Sequence, residues 1–176
     1  FYYEFTSDSG DYIEADGPVL VAQYAVSINQ CSGIIDPPYG DPEMLYLSPV
    51  EQGVKNAYFY ATRKESIDLN FVNIIIPQSG LASLLIDGSP ALPTEYFPHP
   101  ANPQYAVVVR RLFGAAAQHH LLSDSSFIAS VYGAGYYESY AYNMGTRVND
   151  LNTECSYKNI LSSTGLSDTM TCPRSP

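Results

Sequence analysis

The run at 67–76 (IDLNFVNIII) opens in strict alternation, with Ile67, Leu69 and Phe71 set against Asp68 and Asn70, and then turns apolar on both faces. A two-residue period marks a strand that lays one face on a core. The change of pattern means either that the strand passes from a solvated to a covered sheet or that it carries a bulge near Asn73. No longer window holds an apolar stripe of 3.6-residue period, so helix is a minor component. Residues 18–27 (PVLVAQYAVS) read as a central strand covered on both sides. Further strands are expected at 44–47, 56–62, 84–86, 105–110, 119–122, 127–132 and 138–142, with Asp87-Gly88 as the most compact hairpin signal. About nine short strands at this spacing predict an all-β fold, an antiparallel β-sandwich or barrel-like module. Period and apolarity place Val19, Val21, Phe59, Phe71, Ile75, Val107, Val109, Phe127 and Val131 in its core.

A chain of 176 residues is enough for one domain. Its unfolded form would bury roughly 70% of its surface on folding, so stability demands neither a metal nor a disulfide framework. Charged residues make up 15% of the chain and hydrophobic ones 45%, which excludes intrinsic disorder. The net charge of −10 has the wrong sign for a protein that tracks phosphates, so nucleic acid is excluded as a partner, and no apolar stretch is long enough for membrane insertion. Phe1 follows no methionine or leader, so the chain is expected to come from something longer. Periodicity stops near Asn149. Residues 1–148 are expected to form the β-rich module, and the polar, Ser/Thr-rich 149–176 a linker or the start of a following module.

The sequence carries no nucleophile elbow, no phosphate-binding glycine loop and no C-x-x-C pair. His119 and His120 are neighbours, so on a strand they face opposite ways and cannot chelate one metal together; one is expected packed and the other solvated. Carboxylates are numerous enough for folding to assemble a glycosidase-like pair, which keeps a secreted hydrolase as the alternative to a binding module. Asp36, Asp41 and Glu43 are closely spaced oxygen donors and a weak calcium candidate, though they lack the spacing of a calcium loop; no other cofactor is implied. Of the three cysteines, Cys155 and Cys172 share a short polar segment and are the candidate disulfide, with Cys31 free; three reduced thiols are the alternative.

Tyrosine is abundant, 16 residues with no tryptophan. The stretch ESYAY sets Glu138, Tyr140 and Tyr142 on one strand face, with Tyr136 just before it. Such a ladder serves either as sheet packing with wet hydroxyls or as an aromatic recognition surface, and these four residues are the candidate binding site.

Taken in order, PVLVAQY, GDPEM, PVEQ, FVNIIIP, IDG, SDSSFIASVYG and ESYAYNMG make the chain resemble the family named after the IgG Fc-binding protein N-terminal domain, and more closely its Bacteroidetes branch. The resemblance implies a secreted or cell-surface, β-rich, non-enzymatic module, here the C-terminal half of the family domain, from a larger adhesin or surface protein. It implies an adhesion or scaffold role, with a protein or glycan at a cell surface, or neighbouring modules of the same chain, as partners. It carries over no catalytic residue, and the name does not by itself assign antibody binding.

Overall fold

The computed structural model describes residues 2–7, 9–25, 40–114 and 117–147, and the backbone of 156–162 and 165–171. About half of the chain is strand, and the antiparallel sheets form a curled half-barrel.

The strands are β1 Val21–Tyr24, β2 Met44–Leu47, β3 Val54–Tyr60, β4 Ile67–Pro77, β5 Leu85–Ile86, β6 Ser89–Pro90, β7 Tyr96–Pro98, β8 Tyr105–Arg111, β9 Gln118–Gly135, β10 Glu138–Asn143, β11 Ser156–Ser162 and β12 Gly165–Thr171. The axis of the fold is β9, 18 residues long, where two separate strands were expected. Its first half pairs with β3 on one edge and β5 on the other, and its second half with β10 and β4. Beyond β4 lie β8 and then β7, while β6 flanks β5.

Where the β3 ladder skips from Phe127 to Leu122, β9 bends through the small polar residues 123–126. A 3-10 segment, Gln78–Ser83, seats in that bend: Ser83 Oγ donates to the Gly80 carbonyl at 2.8 Å, lies 2.8 Å from Ser123 Oγ and accepts from the Asp124 amide at 3.1 Å. Gly80 must lack a side chain because a Cβ there would run into Ser125. The bend lets one strand serve both walls of the barrel.

Phe59, Phe127 and Val131 are buried in the core, as expected. Phe71, Ile75, Val107 and Val109 are not; they stand half-buried on the outer face, while Val72, Ile74, Ile76, Ala106 and Val108 point inward. The cause is a register shift between Ile67 and Leu69, not near Asn73. One extra residue reverses the phase of everything after it, so Ile67 and then Asn70, Val72, Ile74 and Ile76 face in. Strand β8 (YAVVVRR) is apolar on both faces and had no phase to read. Val19 is 62% exposed and Val21 half-buried, because the described residues 18–25 supply only the short strand β1, paired with β2 in a separate two-stranded sheet, and no central strand.

The Asp87-Gly88 hairpin forms as expected, with both φ angles positive (52° and 77°) and a two-residue return strand ending at Pro90. Strands β11 and β12 pair in register from Ser156↔Thr171 to Ser162↔Gly165, a hairpin within the segment read as polar linker.

Candidate functional site

Strand β9 turns into β10 through a loop of two residues, since Gly135 pairs with Glu138. Such tight loops take positive φ at one or both central residues, which favours Gly or Asn there. Here the two are Tyr136 and Tyr137. Tyr137 has φ 57°, and the rings are 53% and 57% exposed, meeting edge to face at 4.5 Å. Hydrogen bonding to the Tyr137 phenol, and then its charge, raise the Tyr136 pKa.

Two further loops close on this end. The turn Lys64–Ile67 carries Glu65 and Ser66 at φ 50° and 62°, with the Ile67 amide donating to the Lys64 carbonyl at 3.1 Å. Its backbone presses on Gly135, where any Cβ would collide with the Ser66 carbonyl. From the other side the Gly40 amide donates to the Gly135 carbonyl at 2.9 Å. Ser139 Oγ then clamps Asp41, accepting from its amide at 3.3 Å and donating to its carbonyl at 2.7 Å. Three of the four described non-glycine residues with positive φ, Glu65, Ser66 and Tyr137, therefore gather here. Each such backbone costs on the order of 1–3 kcal/mol and persists where its surroundings hold it, commonly at binding sites.

Of the expected ladder, Tyr136 and Glu138 are exposed, whereas Tyr140 and Tyr142 lean onto the core. Tyr140 sits opposite Gly133, whose missing side chain lets the ring cross over β9. Its hydroxyl donates to Asn70 Oδ1, and Asn70 Nδ2 donates in turn to the Thr62 carbonyl at 3.0 Å. The Tyr142 hydroxyl donates to the Tyr60 carbonyl and accepts from the Tyr60 amide at 2.9 Å. Burial pushes the Tyr140 phenol up to about 12 and also raises Tyr142.

Asp36, Cys31, Cys155 and Cys172 lie outside the described residues. Asp41 is exposed and Glu43 half-buried on the loop that meets the hairpin. Among the described residues no group of three or more metal-ligating side chains comes together.

His119 is buried at 4% exposure, stacks on Phe59 at 5.1 Å and holds Asp87 Oδ2 at 2.7 Å from Nδ1; His120 lies on the opposite, outer face. This Asp–His pair was not legible in the sequence, because 31 residues, including β6, β7 and β8, separate the two in the chain. It resembles the lower half of a catalytic triad, but among the described residues the buried Nε2 has no hydrogen-bond partner and no nucleophile stands beside it. A concavity of about 320 Å³ beside the bend in β9 is lined by Lys55, Tyr105, Ser125 and a single carboxylate, Asp124. The Tyr136-Tyr137 loop was missed as a unit because Tyr137 falls outside the alternating ladder.

The antiparallel β half-barrel thus gathers two strained turns, one of them aromatic, at one end. A family model described as IgGFc binding protein matches residues 1–133, and the chain belongs to that family. The family is one of binding-type modules of extracellular character and is not a known enzyme family. The match runs from the start of the chain through β8 and most of β9. No curated protein and no solved structure matches the chain. Among the described residues no helix is long and apolar enough to cross a membrane.

Proposed function

We propose that the chain works outside the cell as a non-catalytic adhesion or scaffold module, engaging a protein or glycan through the barrel end built by Tyr136, Tyr137 and Glu138. The observation that carries this reading is the two-tyrosine hairpin loop: a pair of exposed aromatic rings, one of them, Tyr137, held at a positive φ that favours glycine. Rings with only two side-chain torsions offer contact area at low entropic cost. A net charge of −10 repels anionic surfaces, so partners are neutral glycans, cationic patches or neighbouring modules. The family's name makes antibody Fc one ligand to include in the assay. Asp41, beside the loop, makes millimolar calcium a further arm, with Asp41→Asn as its control.

The test is Tyr137→Gly. Glycine relieves the positive φ and removes one ring, so melting temperature should rise while adhesion to cell surfaces falls. Unchanged adhesion would remove the proposed site.

A further inference from the structure

We propose that the outer face and free edge of β3 at Tyr58 form a second binding site, for a neutral saccharide. This site is separate from the hairpin loop and does not depend on it.

The outer face of the β3–β9 ladder is a small array of three cross-strand pairs: Asn56 with Leu122, Tyr58 with His120, and Tyr60 with Gln118. It contains no Asp, Glu, Lys or Arg, in a chain whose net charge is −10. Tyr58 is 64% exposed, Tyr60 53% and Leu122 40%. Six uncharged side chains, aromatic rings and planar amides among them, suit a ligand that presents C–H faces and hydroxyls, with the charges of Lys55, Asp87 and Asp124 at their margins.

The geometry of the central pair is specific. Tyr58 and His120 stack at 4.2 Å with their planes 13° apart. That distance approaches the strand spacing, so both rings stand upright on the sheet, facing each other across the strands. One face of Tyr58 is therefore covered by His120 and the other looks past the edge of β3. His120 is held in place from both directions: Nε2 lies 2.8 Å from Asn56 Oδ1, its amide donates to Asp87 Oδ1 at 2.9 Å, and its carbonyl accepts from the Asp87 amide at 2.9 Å. The aromatic platform is set before any ligand arrives, which lowers the cost of binding.

Because the His120 backbone bonds Asp87, Tyr58 and His120 are a non-hydrogen-bonded pair, and the Tyr58 amide and carbonyl point off the sheet. So do those of Asn56, and among the described residues no other strand pairs with β3. The open stretch is short. Tyr142 closes it at Tyr60, and the Arg147 amide closes it at the Gln52 carbonyl with a 2.9 Å bond. A peptide adding as a strand would gain few ladder bonds in that space. A pyranose ring needs only the free face of Tyr58 and two or three polar groups beside it.

The test uses the whole 176-residue chain and four neutral hexasaccharides, built from glucose, mannose, galactose and N-acetylglucosamine. Binding is followed by amide chemical-shift mapping and calorimetry. At least one hexasaccharide is expected to shift amides at 56–60 and 118–122. Tyr58→Ala should weaken it about tenfold while keeping the parent's circular dichroism, and Tyr58→Phe, which restores the ring, should recover most of the loss. Should Tyr58→Ala fail to fold, the shift map of the parent decides. No binding by any of the four at about 10 mM overturns the proposal. So does binding that Tyr58→Ala leaves intact, or a dimer by light scattering that Tyr58→Ala dissolves, which would assign the edge to a second copy. Shifts confined to Tyr136 and Tyr137 would keep the hairpin-loop reading and overturn this one.

Discussion

The phenol of Tyr142, on β10, bonds both the amide and the carbonyl of Tyr60, at the end of β3, although the two residues lie 82 positions apart. Both strands run along the same edge of β9, yet Tyr60 pairs at Gln118 and Tyr142 at Val131. Only a strong curl of the sheet brings them together. Tyr140 repeats the arrangement two residues earlier, through Asn70 to Thr62, so a pair of phenols takes the part of a missing strand pairing between β10 and the end of β3.

If these phenols close the barrel, removing one hydroxyl leaves backbone groups of Tyr60 without a partner. Tyr142→Phe should therefore lower stability by about 0.5–1.5 kcal/mol in urea unfolding. Tyr58→Phe, whose ring is exposed, should cost within about 0.5 kcal/mol. Equal losses would make Tyr142 an ordinary surface tyrosine.

The same closure gives an alkaline limit. The folded-state pKa of Tyr140 is raised from 10.0 to about 12, mainly by burial, with that of Tyr142 raised as well. The stabilisation is fully present below the unfolded value and is lost as pH climbs through the folded one, so stability should fall between about pH 10 and 12. Tyr140→Phe should flatten that slope, as followed by melting temperature against pH. An unaltered slope would place the alkaline transition elsewhere.

At the acid end the relevant pair is Glu95 and Arg110, with Glu95 Oε2 2.7 Å from the guanidinium. Burial acts to raise the Glu95 pKa, but hydrogen bonds from Arg110 and the Leu92 amide, together with the Arg110 charge, hold it below 4.5. A depressed carboxylate stabilises above its unfolded pKa and ceases to as pH falls through the folded value. Glu95→Gln should lower stability near neutrality and reduce the acid slope below about pH 4.5, read from urea midpoints at pH 7 and pH 3.

The register of β4 can be checked directly. Ile74 is fully buried, whereas Ile75 stands on the outer face. Ile74→Ala should cost about 2–5 kcal/mol, and Ile75→Ala markedly less. The reverse order would restore the phase read from the sequence alone.

That phase shows where the sequence was legible and where it was not. Strand positions, the Asp87-Gly88 hairpin, and the burial of Phe59, Phe127 and Val131 follow from local period and turn chemistry. The inward face of β4 does not, because one irregularity between Ile67 and Leu69 reverses every later side chain while leaving the composition of the run unchanged. Strand β9 was divided in two because SDSS at 123–126 reads as a turn, whereas the structure uses it as a bend within a strand. The tyrosine ladder was legible as one face of β10, but not as a face turned inward at Tyr140 and Tyr142. Their partners, Asn70 and Tyr60, are brought close only by the curl of the whole sheet.

The direct measurement is adhesion of Tyr136→Ala and Tyr137→Ala, as folded chains, to the cell surfaces and immobilised glycans that the parent binds. Each ring lost from an exposed pair should weaken binding about tenfold with melting temperature near that of the parent. Parental adhesion by both variants would contradict the hairpin loop as the place where this module meets its partner.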